Sequence, residues 1–435
     1  MNDVLISGGT VISPEATMPG TDVLITDGVI SQIGPGLAGE LSGGRDVERV
    51  DANGCLVIPG LINAHSHGGT TGPLFSSAAA PLGRGEAVSN LDRHLADGVT
   101  TVVNVCGFGL PTDIPEHELD VRLGTTHLPS AVVAADAVDG AGLDDTHRAM
   151  SAEQMLQDGA LLLGEIGSGA TLGGGVAAYR YVPDALEPLL GRRIDPATAT
   201  ALIDSLVGLT RLAEPDDATL AQALDEAGLP ASAHAAVREA ILTYAVAPVQ
   251  ASLSSFAEAA ELSAATGRPA VFHAAAPSVA RLLELAQTTD ARIIAGHMNH
   301  TSFTADEAVH WSRQLRAAGA ILDVSSLDMV RARKLATPEI ADALVKEGLV
   351  DTLSTDYAGG AWEPMLGVVQ HWVDEGYIQI PEGIAMCTST PADVLGLDDR
   401  GRIAVGLRGD VAVVSEADVC DVRTVIVEGR VHDFR

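Results

Sequence analysis

Two hydrophobic rhythms divide the chain. Over the first sixty residues, short apolar runs (Val4-Leu-Ile-Ser7, Val23-Leu-Ile25, Val29-Ile-Ser-Gln-Ile33) are separated by Gly-Gly and Asp-Gly, the latter a strong hairpin signal. The tail repeats this in Asp410-Val-Ala-Val-Val414 and Val425-Ile-Val-Glu-Gly-Arg-Val431. Both ends are therefore expected to be β-rich and to join in one small β-sandwich domain, residues 1–59 with 396–435. Between them, residues 60–395 read as strand, loop and helix in repetition. The strand-like runs are Leu56–Ala64, Gly98–Val105, Ser130–Asp136, Leu161–Ile166, Ala270–His273, Ile293–His297, Ala320–Ser325 and Leu353–Asp356. Helical stretches precede most of them, such as Ser278–Ala286 before the sixth. Buried β-runs alternating with helices call for a parallel sheet. Eight such units predict an α/β fold of the (β/α)8 TIM-barrel type.

One interval breaks the rhythm. More than a hundred residues separate Glu165 from His273, where a single helix-and-strand unit needs roughly 30. The excess, residues 183–247, is rich in Ala and Leu with helical periodicity, and Pro215 and Pro230 divide it into short helices. It leaves the fourth strand at the end where barrels carry their chemistry, so it is expected to be a helical lid or an oligomer contact.

Composition narrows the class. With 46 % hydrophobic and 19 % charged residues, the 435-residue chain is globular. A net charge of −32 argues against nucleic acid or an anionic membrane as partner, because phosphates need Lys and Arg. The four cysteines lie far apart with no Cys-x-x-Cys pair and are expected to be free thiols. Met1-Asn-Asp-Val-Leu-Ile-Ser lacks the basic and apolar regions of a signal peptide, and no run approaches the roughly 20 uninterrupted apolar residues of a membrane span, so a cytoplasmic protein is expected. Only two lysines occur, Lys334 and Lys346.

The chemistry sits at the strand ends. In Leu61-Ile-Asn-Ala-His-Ser-His67 two histidines lie one residue apart, so on a strand His65 and His67 point to the same side. Four more candidate ligands each close an apolar run: Glu165, His273, His297 and Asp356. Four histidines, a glutamate and an aspartate at successive strand ends make a metallohydrolase site, since imidazole and carboxylate are the ligands such ions take.

These residues and their surroundings resemble the amidohydrolase superfamily of metal-dependent hydrolases over essentially the whole chain. Pro59-Gly-Leu-Ile-Asn-Ala-His-Ser-His67 resembles its strand-one signature, and Asp97-Gly-Val-Thr-Thr101 its entry to strand two. Gly406-Leu-Arg-Gly-Asp-Val-Ala-Val-Val414 and Val427-Glu-Gly-Arg430 resemble its C-terminal β-domain closure. Many members bridge two metals with a carboxylated lysine on strand four, but here no lysine precedes Lys334. Gly164-Glu-Ile-Gly167 instead matches the subset that uses a glutamate, and Gly296-His-Met-Asn299 is similar to enamidase-like proteins, which open cyclic amides.

The resemblance implies two divalent ions, zinc first, with Mn²⁺, Fe²⁺ or Co²⁺ also suited to the donors. His65, His67 and Asp356 are assigned to one ion, His273 and His297 to the other, and Glu165 to both. A water shared by two dications loses a proton near neutral pH and attacks a carbonyl carbon. Asp356 is the expected general base and acid. The expected reaction is cleavage of a C–N bond in a cyclic amide, lactam or related small molecule, by a homo-oligomer. Deamination of a nitrogen heterocycle is the alternative; Ala274, Ala275 and Ala276 fill the stretch where many single-metal deaminases place a proton-shuttling acid. A barrel kept only as a scaffold would have lost ligands, and none is missing.

His300, three residues after His297, competes with it as the strand-six ligand; His297 is preferred because it directly follows the apolar run. Asn299, His300, His127 and Tyr357 are candidate substrate contacts, with Trp362 on the same loop as Tyr357. Arg180 and Arg331 are candidates for an anion clamp, and Gly173-Gly-Gly175 reads as a hinge rather than a phosphate loop, because no Gly-Lys-Ser/Thr follows.

Overall fold

The fold is described by a computed structural model covering residues 3–14, 16–40, 47–172, 177–326, 338–357 and 363–434. Gly173–Gly175, Arg331, Lys334 and Trp362 lie outside the described residues.

The N-terminal stretch supplies β1 (Asp3–Ile12), β2 (Thr17–Thr26), β3 (Val29–Gly34), β4 (Val47–Asp51) and β5 (Cys55–Pro59). The barrel strands follow: β6 (Leu61–Ser66), β7 (Val99–Asn104), β8 (Asp120–Thr125), β9 (Leu162–Ile166), β10 (Pro269–His273), β11 (Arg292–Gly296), β12 (Ile321–Ser325) and β13 (Thr352–Ser354). The tail adds β14 (Val411–Ser415), β15 (Val422–Val427) and β16 (Arg430–Asp433). Among the described residues these form two eight-stranded sheets.

The barrel strands pair in parallel and in chain order. In β7, β9, β10 and β13 every residue is buried, as in strands packed between a barrel interior and a helical layer. The ring closes at β13 and β6. The Asp356 amide donates to the His65 carbonyl at 2.9 Å, and the Asn63 side chain clasps Thr355 through 2.7 and 3.1 Å hydrogen bonds.

The apolar run into His65 is two strands rather than one. It breaks at Gly60, where a Cβ would lie 2.4 Å from the Thr100 side chain, so only glycine lets β6 lie this close to β7. β5 then belongs to the small sheet and β6 to the barrel.

The third barrel strand is also displaced. Ser130–Asp136, expected as a strand, lies in the helix Pro129–Val138, and the strand is β8, ten residues earlier. Pro129 at the first helical turn and a run of alanines favour the helix over the β-branched pair Val132-Val133. The polar positions of β8 are used at the base of the barrel: buried Arg400 bonds Asp120 at 2.5 Å and Thr101 at 2.9 Å. His127 therefore follows strand three at its C-terminal end rather than preceding it.

The terminal strands form one curled sheet in the order β16-β15-β14-β5-β1-β2-β3, with β4 beside β1. Ile30 of β3 and Ile426 of β15 share one apolar cluster, and the Gly409 amide donates to the Gly28 carbonyl at 2.7 Å, so the sheet folds over its own core.

After β9 the chain runs through helical segments, chiefly Val182–Leu190, Pro196–Val207, Asp217–Glu226 and His234–Ile241. They bury their own cluster, including Val182, Leu202, Leu220 and Ile241, apart from the barrel core. Arg180, at their start, is exposed, with its guanidinium 5.4 Å from the Tyr181 ring centroid. The helical run Ala231–Thr266 is long and apolar enough to cross a membrane by composition. Its later part is a barrel helix: Phe256 packs on Phe272 of β10 with ring centroids 5.0 Å apart.

Candidate metal centre

All six expected ligands come together at the C-terminal end of the barrel. His65 and His67 leave the end of β6, Glu165 and His273 lie on β9 and β10, and His297 and Asp356 follow β11 and β13. Both post-strand residues adopt left-handed backbone, φ 38° at His297 and 46° at Asp356, which turns each side chain back over the barrel mouth at an energetic cost to non-glycine residues. Gly296 clears space for the cluster, since a Cβ there would lie 3.0 Å from His65 Cε1.

Glu165 is the centre of the arrangement. Its Oε1 lies 2.9 Å from both His273 Nδ1 and His297 Nε2, and its Oε2 lies 3.5 Å from His67 Nε2. Asp356 Oδ1 lies 3.4 Å from His67 Nε2 and 3.5 Å from His65 Nε2. Two donor groups result, His65-His67-Glu165 and Glu165-His273-His297; within each, the candidate atoms lie within 4.8 Å of one another.

The donors fit divalent ions. Two atoms each about 2.1 Å from one tetrahedral ion stand ~3.4 Å apart, close to the spacings around His65, His67 and Asp356. Both ring nitrogens of His65 are buried without a hydrogen bond among the described residues, which is costly for an imidazole unless another partner takes the lone pair.

Electrostatics follow from this packing. Burial opposes charge on Glu165, yet the surrounding imidazoles of His273 and His65, with hydrogen bonds from His273 and His297, hold its carboxyl well below the usual range. Burial likewise opposes charge on Asp356, and His297 with His67 outweighs it and lowers the pKa. At His297 burial is overcome by Asp356 and Glu165, which raise it to about 9. Burial, then the charges of His273 and His297, push His300 well below its ordinary value.

Two supporting residues escaped the sequence reading. Cys106, just beyond β7, places Sγ 3.5 Å from His67 Nδ1 and 3.7 Å from Asn104 Oδ1. With the thiol donating to Asn104, the sulfur accepts His67 Nδ1–H and leaves the Nε2 lone pair facing the carboxylates. Asp323 on β12 lies 3.8 Å from His65 Nδ1, accepts from Thr352 and Ser354 at 2.8 and 2.9 Å, and takes the His297 amide at 3.3 Å. Burial raises its pKa. The one signal for Asp323 was a lone charge inside the apolar run Ala320–Ser325; Cys106 gave none.

The expected substrate contacts fare differently. Asn299 is fully buried, and its amide bonds Ser325, donating to the carbonyl at 2.8 Å and accepting the amide at 2.9 Å. His127 is buried with Nδ1 3.0 Å from Thr125 Oγ1 and its ring edge-on to Phe108; burial, helped by His147, lowers it to about 4. Tyr357 is buried beside Gly68, where a Cβ would come 3.3 Å from its ring. His300 is half-buried, with its ring centroid 5.3 Å from that of His273.

A profile of the amidohydrolase family matches residues 203–432, more than half of the chain. The chain belongs to the amidohydrolase family. This amidohydrolase is 24 % identical to a dihydroorotase of Citrifermentans bemidjiense, over 98 % of the chain and 93 % of that protein. An adenine deaminase of Paracoccus denitrificans is 29 % identical over 38 % of the chain and 27 % of its own length. The solved β-aspartyl dipeptidase of Fervidobacterium islandicum shares the fold, with a TM-score of 0.56 at 19 % identity, covering 99 % of this chain and 96 % of that one. Membership of this family makes the protein a metal-dependent hydrolase of carbon–nitrogen bonds acting on small molecules.

Proposed function

We propose that this amidohydrolase opens the C–N bond of a cyclic amide, lactam or related small molecule at a binuclear divalent-metal centre, zinc being the ion best matched to the donors. One observation carries the reading: Glu165 touches all four histidines, its Oε1 2.9 Å from His273 Nδ1 and His297 Nε2 and 3.7 Å from His65 Nε2, its Oε2 3.5 Å from His67 Nε2. His65, His67 and Asp356 would hold one ion, His273 and His297 the other, and Glu165 both. Such a pair would acidify a water and polarise the substrate carbonyl. The end-to-end likeness to a dihydroorotase supports hydrolysis at a small-molecule C–N bond.

The protein's own part in the reaction falls to Asp356. Its side chain is 19 % exposed where Glu165 is 3 %, so it meets both the buried cluster and the open mouth. It accepts a proton from water as the water oxygen bonds to the carbonyl carbon. The same proton passes to the leaving nitrogen as the C–N bond breaks. Tyr357, beside Gly68, forms a wall of the substrate pocket.

Metal counting on protein purified without chelator, joined to a screen of lactams and cyclic amides, tests this reading. Two ions per chain and ring opening without ammonia are expected. A chain that binds no divalent ion even after metal is added overturns it. Ammonia released from an amino-heterocycle instead moves the assignment to deamination, the reading that the partial adenine deaminase likeness favours.

The Cys106 contact gives a separate expectation. Cys106→Ala should weaken metal retention about 10- to 100-fold in competition with a chelator, as loss of a ligand's hydrogen-bond partner does. Cys106→Ser should keep most of the affinity. Equal retention by all three proteins would show that the sulfur does not orient His67.

A further inference from the structure

His300 stands at the edge of the histidine cluster, on the turn that follows His297, and the hydrogen bonds around it fix which ring nitrogen carries the proton. The Ser302 amide donates to His300 Nδ1 at 3.1 Å, so Nδ1 is an acceptor. The Ser302 hydroxyl lies 2.8 Å from the same nitrogen. That hydroxyl accepts the Ala276 amide at 3.0 Å, leaving its own proton for Nδ1. A relay thus runs from the loop after β10 to the loop after β11, and every bond in it points towards Nδ1. A neutral imidazole whose Nδ1 accepts carries its proton on Nε2. An Nε2 that bears a proton has no lone pair for a metal, which removes His300 from the ligand set and leaves it a donor. The ring lies 5.3 Å from His273 and 5.6 Å from His297, centroid to centroid, and its Nε2 has no hydrogen bond among the described residues.

We infer that His300 is a further catalytic residue, a tautomer-locked Nε2–H donor to the acyl oxygen of the substrate. This rests on the hydrolase reading above. As water adds to the carbonyl, negative charge gathers on that oxygen, and a donor already held in place stabilises it without reorganising. The relay through Ser302 and Ala276 holds the donor in place, because a proton on Nδ1 would be set against the Ser302 N–H and would force the Ser302 hydroxyl to turn its own proton away. Ala276 needs only its backbone amide for this, which suits the small Ala-Ala-Ala stretch after His273.

The test pairs spectroscopy with kinetics on the full-length protein. Imidazole ¹⁵N NMR, with the His300 signals assigned by their loss in His300→Gln, should show Nδ1 unprotonated and Nε2 protonated, unchanged on addition of Zn²⁺. A proton on Nδ1, or loss of the Nε2 proton when Zn²⁺ is added, overturns the inference. With the best cyclic amide from the screen, His300→Leu should lose about 10²- to 10³-fold in kcat with KM little changed. His300→Gln, which keeps an N–H near the same place, should recover part of the loss. A His300→Leu protein with wild-type kcat and metal content also overturns it. Failure of the hydrolase reading is recognised separately, by a metal-loaded wild type that opens none of the amides; the donor role falls with it.

Discussion

Asp356→Asn should retain the fold and the histidine cluster yet lose about 10²- to 10⁴-fold in kcat, the range that general acid–base catalysis contributes. The amide keeps the shape of the carboxylate and the 2.9 Å backbone bond to His65, but it cannot accept a proton. KM should stay within a few-fold, because the lost interaction belongs to the transition state rather than to substrate binding. Single-turnover kinetics with metal content measured on the same preparation would check this. A variant with full metal and near-normal kcat would show that another group moves the proton. One with half the metal and no activity would place Asp356 among the ligands without resolving its proton role, so Asp356→Glu, which restores a carboxylate, is measured beside it; partial recovery of kcat at equal metal content supports proton transfer.

The second large effect is expected at Glu165. Glu165→Ala removes the carboxylate that lies against the ring nitrogens of both histidine groups, so metal content should fall from two ions per chain to one or none. The histidines left behind also lose the negative charge that offsets two dications. Bound ligand stabilises a fold by RT ln(1 + [L]/Kd), so added Zn²⁺ should raise the unfolding temperature of the wild type much more than that of the variant. Two ions retained at wild-type affinity would dismiss Glu165 as a bridge. The measurements are mass-spectrometric metal counting and thermal melts with and without zinc.

Much of this site was legible because a barrel writes its chemistry at predictable places. His65, Glu165, His273, His297 and Asp356 each end or follow an apolar run, and buried parallel strands make such runs conspicuous. What failed to show has physical reasons. β8 reads poorly as a strand because Asp120 pairs with Arg400, which lies far away in sequence; the apolar Ala-Val helix beside it looked the better strand. Asp323 and Cys106 lie behind His65 and His67, and no spacing rule joins Cys106 to His67 or Asp323 to His65. The two bonds that tie the Asn299 side chain to Ser325 were not legible from its place beside His300, because the partner lies on the next strand. The tautomer of His300 could come only from three-dimensional contacts, since Ala276 and Ser302 lie on different loops.

The curled terminal sheet also sets the order in which the chain can be completed. β5 pairs with β14 from Cys55–Ser415 to Pro59–Val411, so the partner of an early strand is made only after the whole barrel has been synthesised. Until then β5 presents an open strand edge, the kind of surface on which nascent chains join one another. Slower synthesis would lengthen that exposure, whereas a pre-made segment carrying β14 to β16, supplied in trans, would shorten it. Recovery of soluble protein should therefore depend on how soon the last strands arrive, even though no catalytic group lies among them.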